Sequence, residues 1–220
     1  AVSIEEIVSY MEEGTLTIQD LAEMQRLLDE EERYVGLEID DLQGKILDAT
    51  MEGTVDFVEV FKNFERYRAR PWIGEFLDKL AEENPREIYD NLNLFCDEAY
   101  APNVLKRAIE REPISAFESE TIAIYKDKDY AYQVLEAATE RAPAVAFSYY
   151  FCYEEQTYAE QIVEKSAFLL MDLDPFEALG FALLYKDKPY GGKIIEGSAL
   201  RLMRSSPRKV LSYLNLYADQ

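Results

Sequence analysis

The stretch that decides the fold reads Asp174-Pro175-Phe176-Glu177-Ala178-Leu179-Gly180-Phe181-Ala182-Leu183-Leu184-Tyr185-Lys186-Asp187-Lys188-Pro189-Tyr190. It opens with an N-cap residue and a proline at the first helical position, where a missing N–H costs nothing. It closes with two aromatics five residues apart. Both features recur. The aromatic pairs are Tyr67/Trp72, Phe95/Tyr100, Tyr125/Tyr130, Tyr153/Tyr158 and Tyr185/Tyr190, and Tyr217 starts a sixth. Their first members are 28, 30, 28, 32 and 32 residues apart. Between the pairs stand Pro85, Pro113, Pro143, Pro175 and Pro207. Asn84, Asp174 and Ser206 precede three of them as expected N-caps.

Each unit therefore reads as a helix, a sharp turn, a second helix and a short linker bracketed by aromatics. First helices are expected over 72–83, 101–112, 130–141, 158–172 and 190–204. Second helices are expected to run from each proline to near Asp97, Asp127, Glu155, Asp187 and the C-terminus. A pair of this length cannot bury its apolar side alone, so neighbours must stack. The expected fold is all-α: an α-solenoid of stacked antiparallel helix pairs with a period of about 28–32 residues.

The pattern Leu179-Gly180…Tyr185…Tyr190…Pro207 is similar to the tetratricopeptide family, over roughly residues 67–220. This chain departs from it where that family places small residues at helix crossings. Tyr149, Phe181 and Tyr213 stand there on one helix, and Gln133, Gln161 and Lys193 on the other. A HEAT-like solenoid, which tolerates uneven helix pairs, fits equally well. Either resemblance implies a protein-binding scaffold by analogy.

Residues 1–66 read as a separate helical segment packed on the five helix pairs of 67–220. Ser3-x-x-Glu6 and Thr17-x-x-Asp20 open two helices as capping boxes. A third is expected over 39–51, and a fourth from Thr54 with Phe57, Val58, Phe61 and Phe64 on one side.

The 220-residue chain holds 44 acidic and 23 basic residues, a formal −21, and no histidine. Histidine-dependent catalysis and histidine-ligated metals are thereby excluded within it. Such a charge disfavours nucleic acid as a partner. At 48% apolar and 13% aromatic, with 16 Tyr and 11 Phe, the chain is too rich to be disordered. The charge is graded. Residues 1–66 carry 18 acids against 5 bases, whereas Tyr190–Gln220 is locally basic through Lys193, Arg201, Arg204, Arg208 and Lys209. Arg66, Arg68 and Arg70 around Tyr67 read as a salt-bridged linker.

The longest apolar run, Ala144–Tyr153, is too short for a membrane span. No cofactor or metal is expected: Gly191-Gly192-Lys193 lacks the Ser or Thr of a phosphate loop, and Asp127-Lys128-Asp129 lacks a calcium-loop pattern. Cys96 and Cys152 lie two units apart and are not expected to pair. The chain opens on Ala1 and stops inside a sixth unit, as expected of a piece of a longer protein. Its compartment stays open.

Counting Pro85, Pro143, Pro175 and Pro207 each as position 1 of a continuous helix, positions 4, 8 and 11 are apolar and form the expected core face. They are Ile88, Leu92 and Phe95; Ala146, Tyr150 and Tyr153; Ala178, Ala182 and Tyr185; and Val210, Leu214 and Tyr217. The opposite stripe is polar in the unit at Pro85. In the units at Pro143 and Pro175 it holds Phe151, Phe176 and Leu183, with Gly180 leaving room for another backbone. Large apolar residues on a wet face mark a candidate partner site. The end of each second helix is acidic throughout, as Asp97, Asp127, Glu155, Asp187 and Asp219. Near helix C-termini these carboxylates oppose the helix dipole, which leaves partner binding or a turn-capping role to explain them.

Two functional readings follow. The first is a non-enzymatic scaffold for a protein or peptide, expected to be basic, with Phe151, Phe176 and Leu183 as anchors and Asp97, Asp127, Glu155 and Asp187 as the acidic row. The second is a helical accessory domain of a larger enzyme, or a carboxylate-dependent hydrolase acting on glycans.

Overall fold

In a computed structural model, residues 57–211 and Tyr213 are described. The helices expected over residues 3–53 lie outside that range, as do Leu214, Tyr217 and Asp219. The described residues are all-helical, without strands. None of their helices is long and apolar enough to cross a membrane. The chain divides into two compact units, Ala1–Phe76 and Leu77–Gln220.

The first unit contains α1 (Phe57–Lys62) and α2 (Phe64–Tyr67). The fourth expected helix is thus interrupted at Asn63. Its apolar side is also narrower than expected, with Phe61 and Phe64 buried and Val58 exposed. Val60, Tyr67 and Ile73 are buried with them, and the Trp72 ring packs between Tyr67 and Phe76. Arg68 pairs with Glu65 at 2.6 Å and lies over the Phe64 ring.

α3 (Ile73–Glu83) spans the division. The second unit continues with α4 (Pro85–Asp90), α5 (Ala101–Arg111), α6 (Ser119–Tyr125), α7 (Ala131–Arg141) and α8 (Pro143–Ser148). It ends with α9 (Ala159–Leu173), α10 (Pro175–Gly180), α11 (Gly191–Ser205) and α12 (Pro207–Val210). The long helices α5, α7, α9 and α11 contact one another in chain order. Each of α4, α8 and α10 packs against the long helix that follows it. The long helices begin and end within one residue of expectation, because their amphipathic pattern and flanking prolines bound them tightly.

The second helices differ from expectation. α4, α8 and α10 each stop after six residues, and a 3-10 turn follows at Leu92–Leu94, Tyr150–Cys152 and Ala182–Leu184. A 3-10 turn advances each residue by about 120°, so the 100° wheel no longer holds at its far end. The core face survives nonetheless. Ile88, Leu92 and Phe95 are buried, as are Ala146 and Tyr153, and Ala178, Ala182 and Tyr185. Tyr150 and Val210 are half-buried.

The segment after Pro113 departs further. Its 3-10 turn, Ile114–Phe117, comes first, and an extended Glu118 (ψ 140°) separates it from α6. The break lets Glu118 and Ser115 both reach Arg86, at 3.0 and 3.1 Å. Of the three expected caps, only Asp174 uses its side chain, accepting from the Glu177 N–H at 3.1 Å. Asn84 and Ser206 make no side-chain cap bond.

The tie between consecutive segments is a hydroxyl more than a pair of rings. Tyr130 donates to the Cys96 carbonyl at 2.6 Å, Tyr158 to the Lys126 carbonyl at 2.7 Å, and Tyr190 to the Glu160 carboxylate at 3.0 Å. Among the pairs in the described residues, Tyr67/Trp72, Phe95/Tyr100 and Tyr185/Tyr190 bring their two rings into contact.

Candidate functional site

Phe151 and Leu183 sit at the middle residue of matching 3-10 turns and are 64% and 73% exposed. The turn places them outward because their neighbours on the other side are pinned inward. Tyr153 and Tyr185 are fully buried and donate to the carbonyls of Ala146 and Ala178. At the same place after α4 stands Asn93, also exposed. The apolar pair is therefore confined to two consecutive segments. Phe151 rests against the Tyr149 ring, 6.2 Å between centroids and nearly parallel.

Phe176 is not a third member of an open patch. It is half-buried against the core around Leu179, Ala182 and Tyr185. The Tyr213 ring meets it edge-on at 5.5 Å, and the Lys209 ammonium lies 4.6 Å above it. The Tyr213 hydroxyl also stands beside Gly180, where a Cβ would touch it at 3.5 Å, while Gly180 itself stays exposed. Sequence could not show this, because the covering residues follow some thirty positions later.

The acidic positions separate into two groups. Asp97 binds Lys128 at 2.5 Å, and Asp127 accepts from Gln156 at 2.8 Å. Both are exposed, yet each is engaged by the following segment. Glu155 and Asp187 are exposed and carry no ion pair or hydrogen bond among the described residues. They follow Phe151 and Leu183 by four residues in each case. The capping role considered for the row is thus replaced, at Asp97 and Asp127, by side-chain ties between segments.

A cleft of about 430 Å³ opens beside these ties, lined by Lys126–Asp129, Tyr132, Gln156, Tyr158 and Gln161. Burial pushes the Tyr158 hydroxyl up to about 12, and the nearby Asp127 adds to it. Tyr132 of the cleft donates to Glu136 at 2.9 Å, and Lys165 reaches Glu136 at 3.0 Å and Glu140 at 2.5 Å. The hydrogen bond from Lys165 holds the Glu136 carboxyl below the usual carboxylate range, against the opposing effect of its partial burial. Individual sequence positions gave no signal of this cleft, because it forms only where two linkers adjoin.

Cys96 and Cys152 are both free. Cys152 lies 3.4 Å from the Ser119 hydroxyl.

No known family model matches the chain, and neither a curated protein nor a solved structure matches it. What the structure defines, over the described residues, is an all-helical fold whose second unit is built from long helices packed in chain order.

Proposed function

We propose that this chain is a non-enzymatic binding scaffold, a solenoid of stacked antiparallel helix pairs whose face bearing Phe151 and Leu183 takes up a basic protein or peptide. The observation that carries the reading is the exposure of those two side chains at matching turns of adjacent segments. Leaving a large apolar side chain in water forgoes about 1.5–3 kcal/mol of burial, which a partner can recover. Glu155 and Asp187 supply unengaged carboxylates beside each anchor, and the −21 charge steers cations toward the surface. The recurring aromatic pairs and prolines support a helical-repeat architecture, tetratricopeptide-like or HEAT-like in its packing. Phe176 belongs to the support of this face and not to its contact surface. Asp97 and Asp127 contribute to its field while bound to their neighbours.

The test is fluorescence anisotropy with labelled peptides that alternate Leu or Phe with Lys or Arg. Binding should weaken with salt, and Phe151→Ser with Leu183→Ser should reduce affinity by about tenfold or more without moving the urea midpoint. Unchanged affinity in the double variant, or failure of every basic peptide tested, overturns the reading.

A further inference from the structure

The side of α9 that meets α11 is Glu160, Phe168, Met171 and Asp172. Glu160 receives Lys188 at 2.5 Å and Tyr190 at 3.0 Å. Phe168 packs on the Tyr190 ring, 6.2 Å between centroids, with the Lys193 ammonium 5.0 Å from its own. Met171 lies so close over Gly197 that a Cβ there would come within 2.5 Å of its sulfur. Asp172 pairs with Arg201 at 2.5 Å. The covering segment thus sets two cations, Lys188 just before α11 and Arg201 on it, against acids of α9, and a third, Lys193, over an α9 ring.

A shift of 32 residues superposes Tyr158 on Tyr190 and carries this face onto α11. The matching residues are Gly192, Leu200, Met203 and Arg204, while Leu211 matches the buried Leu179. Here the apolar side chains are uncovered, with Leu200 at 52%, Met203 at 58% and Leu211 at 62% exposure. Leu200, Met203 and Arg204 are spaced three and four residues apart, so they share one side of the helix.

The charge on this face is reversed. Glycine replaces Glu160, arginine replaces Asp172, and Arg208 stands where Phe176 does. Only Glu196, matching Glu164, keeps its sign. Arg204 and Arg208 are exposed and have no partner among the described residues. A helix that repeated α11, with its Lys193 and Arg201, would set cation against cation. Two copies meeting symmetrically through this face would oppose the same arginines to themselves.

We infer that the outer face of α11, with Leu200, Met203 and Leu211 flanked by Arg204 and Arg208, is a second docking surface that takes an acidic amphipathic helix from a partner protein. Apolar residues at helical spacing would lie on the three exposed side chains, and flanking Asp or Glu would meet the two arginines. The surface is separate from the one bearing Phe151 and Leu183 and selects the opposite charge.

The test uses two fluorescein-labelled four-turn helical peptides with the same leucine stripe, one flanked by glutamate and the other by lysine. Anisotropy with the full chain should show binding of the glutamate peptide only. Leu200→Glu with Met203→Glu should abolish it, and Arg204→Glu with Arg208→Glu should weaken it by about tenfold or more. Phe151→Ser with Leu183→Ser should leave it unchanged, which separates this surface from the other. Circular dichroism and the urea midpoint should stay at wild-type values in every variant, because the substituted side chains are exposed. Absence of binding, equal binding of both peptides, or indifference to the α11 variants overturns the inference. So does self-association in sedimentation that Leu200→Glu disperses, since the occupant is then a second copy.

Discussion

The hydroxyl of Tyr153 donates a 2.6 Å hydrogen bond to the carbonyl of Ala146, seven residues earlier, inside the core. Tyr125 makes the corresponding bond to Ala116 at 2.6 Å, and Tyr185 makes it to Ala178. Phe95 occupies the same place after α4 without a hydroxyl, and its 3-10 turn forms all the same. Burial of the ring therefore sets the turn, and the hydroxyl adds to its stability. Tyr153→Phe should keep the fold by circular dichroism and lower unfolding stability by about 1–2 kcal/mol in urea titration.

Alkaline pH should unfold the protein through these tyrosines. Burial raises the hydroxyl pKa of Tyr89, Tyr125, Tyr130, Tyr153 and Tyr190 well above normal, and that of Tyr158 to about 12. In the unfolded chain each ionises near 10. Their contribution is therefore complete below about pH 10 and is lost as pH rises from there toward the folded values. Each of the deeply buried Tyr89, Tyr125 and Tyr153 can remove up to about 1.4 kcal/mol per pH unit over that window, and the half-buried Tyr130, Tyr158 and Tyr190 less, because solvent screens them. Tyrosinate absorbance and loss of helix should rise together between about pH 10 and 12. On the acid side, Glu136 works in the opposite sense. Its depressed pKa stabilises the fold at neutral pH, and that stability fades as pH falls through the depressed value. With no histidine in the chain, stability should stay nearly flat between about pH 6 and 8.

Phe151 and Phe176 should respond differently to one substitution. Phe151→Ser removes an exposed ring and should change stability by less than about 0.5 kcal/mol. Phe176→Ser loses core packing, the Tyr213 edge contact and the Lys209 interaction, and should cost about 1–3 kcal/mol. Paired urea unfolding curves decide the matter.

The proline-led helices should also differ in their caps. Asp174→Ala removes a side-chain bond to the Glu177 N–H and should cost about 1 kcal/mol. Asn84→Ala and Ser206→Ala remove no such bond and should cost measurably less in the same thermal or chemical melts.

The long helices were legible in the chain because amphipathic spacing and a proline at the next helix start are local signals. Ala101–Arg111 and Ala131–Arg141 follow from them directly. The shorter helices were less so. Pro85, Pro143 and Pro175 mark where each begins, but nothing local marks the change to a 3-10 turn six residues on. The buried face of Ile88, Leu92 and Phe95 was readable in spite of that change, since three apolar residues at near-helical spacing are buried under either geometry. At the candidate site, the exposure of Phe151 and Leu183 agreed with the wheel. The covering of Phe176 by Tyr213 and Lys209 did not, because it comes from the following segment.

The amino-acid order alone determined the helical class, the positions of the long helices and the exclusion of histidine chemistry, all of which depend on residue type and short-range spacing. The acidic residues recurring before each aromatic pair's second member were equally plain as a pattern. Their state was decided only by tertiary structure. Asp97 and Asp127 are tied to Lys128 and Gln156, some thirty residues away, while Glu155 and Asp187 are left free. The same holds for Leu200 and Met203, whose counterparts Phe168 and Met171 are covered by α11. Whether a side chain is a contact or a vacancy depends on which helix lies across it, and that partner is not adjacent in the chain.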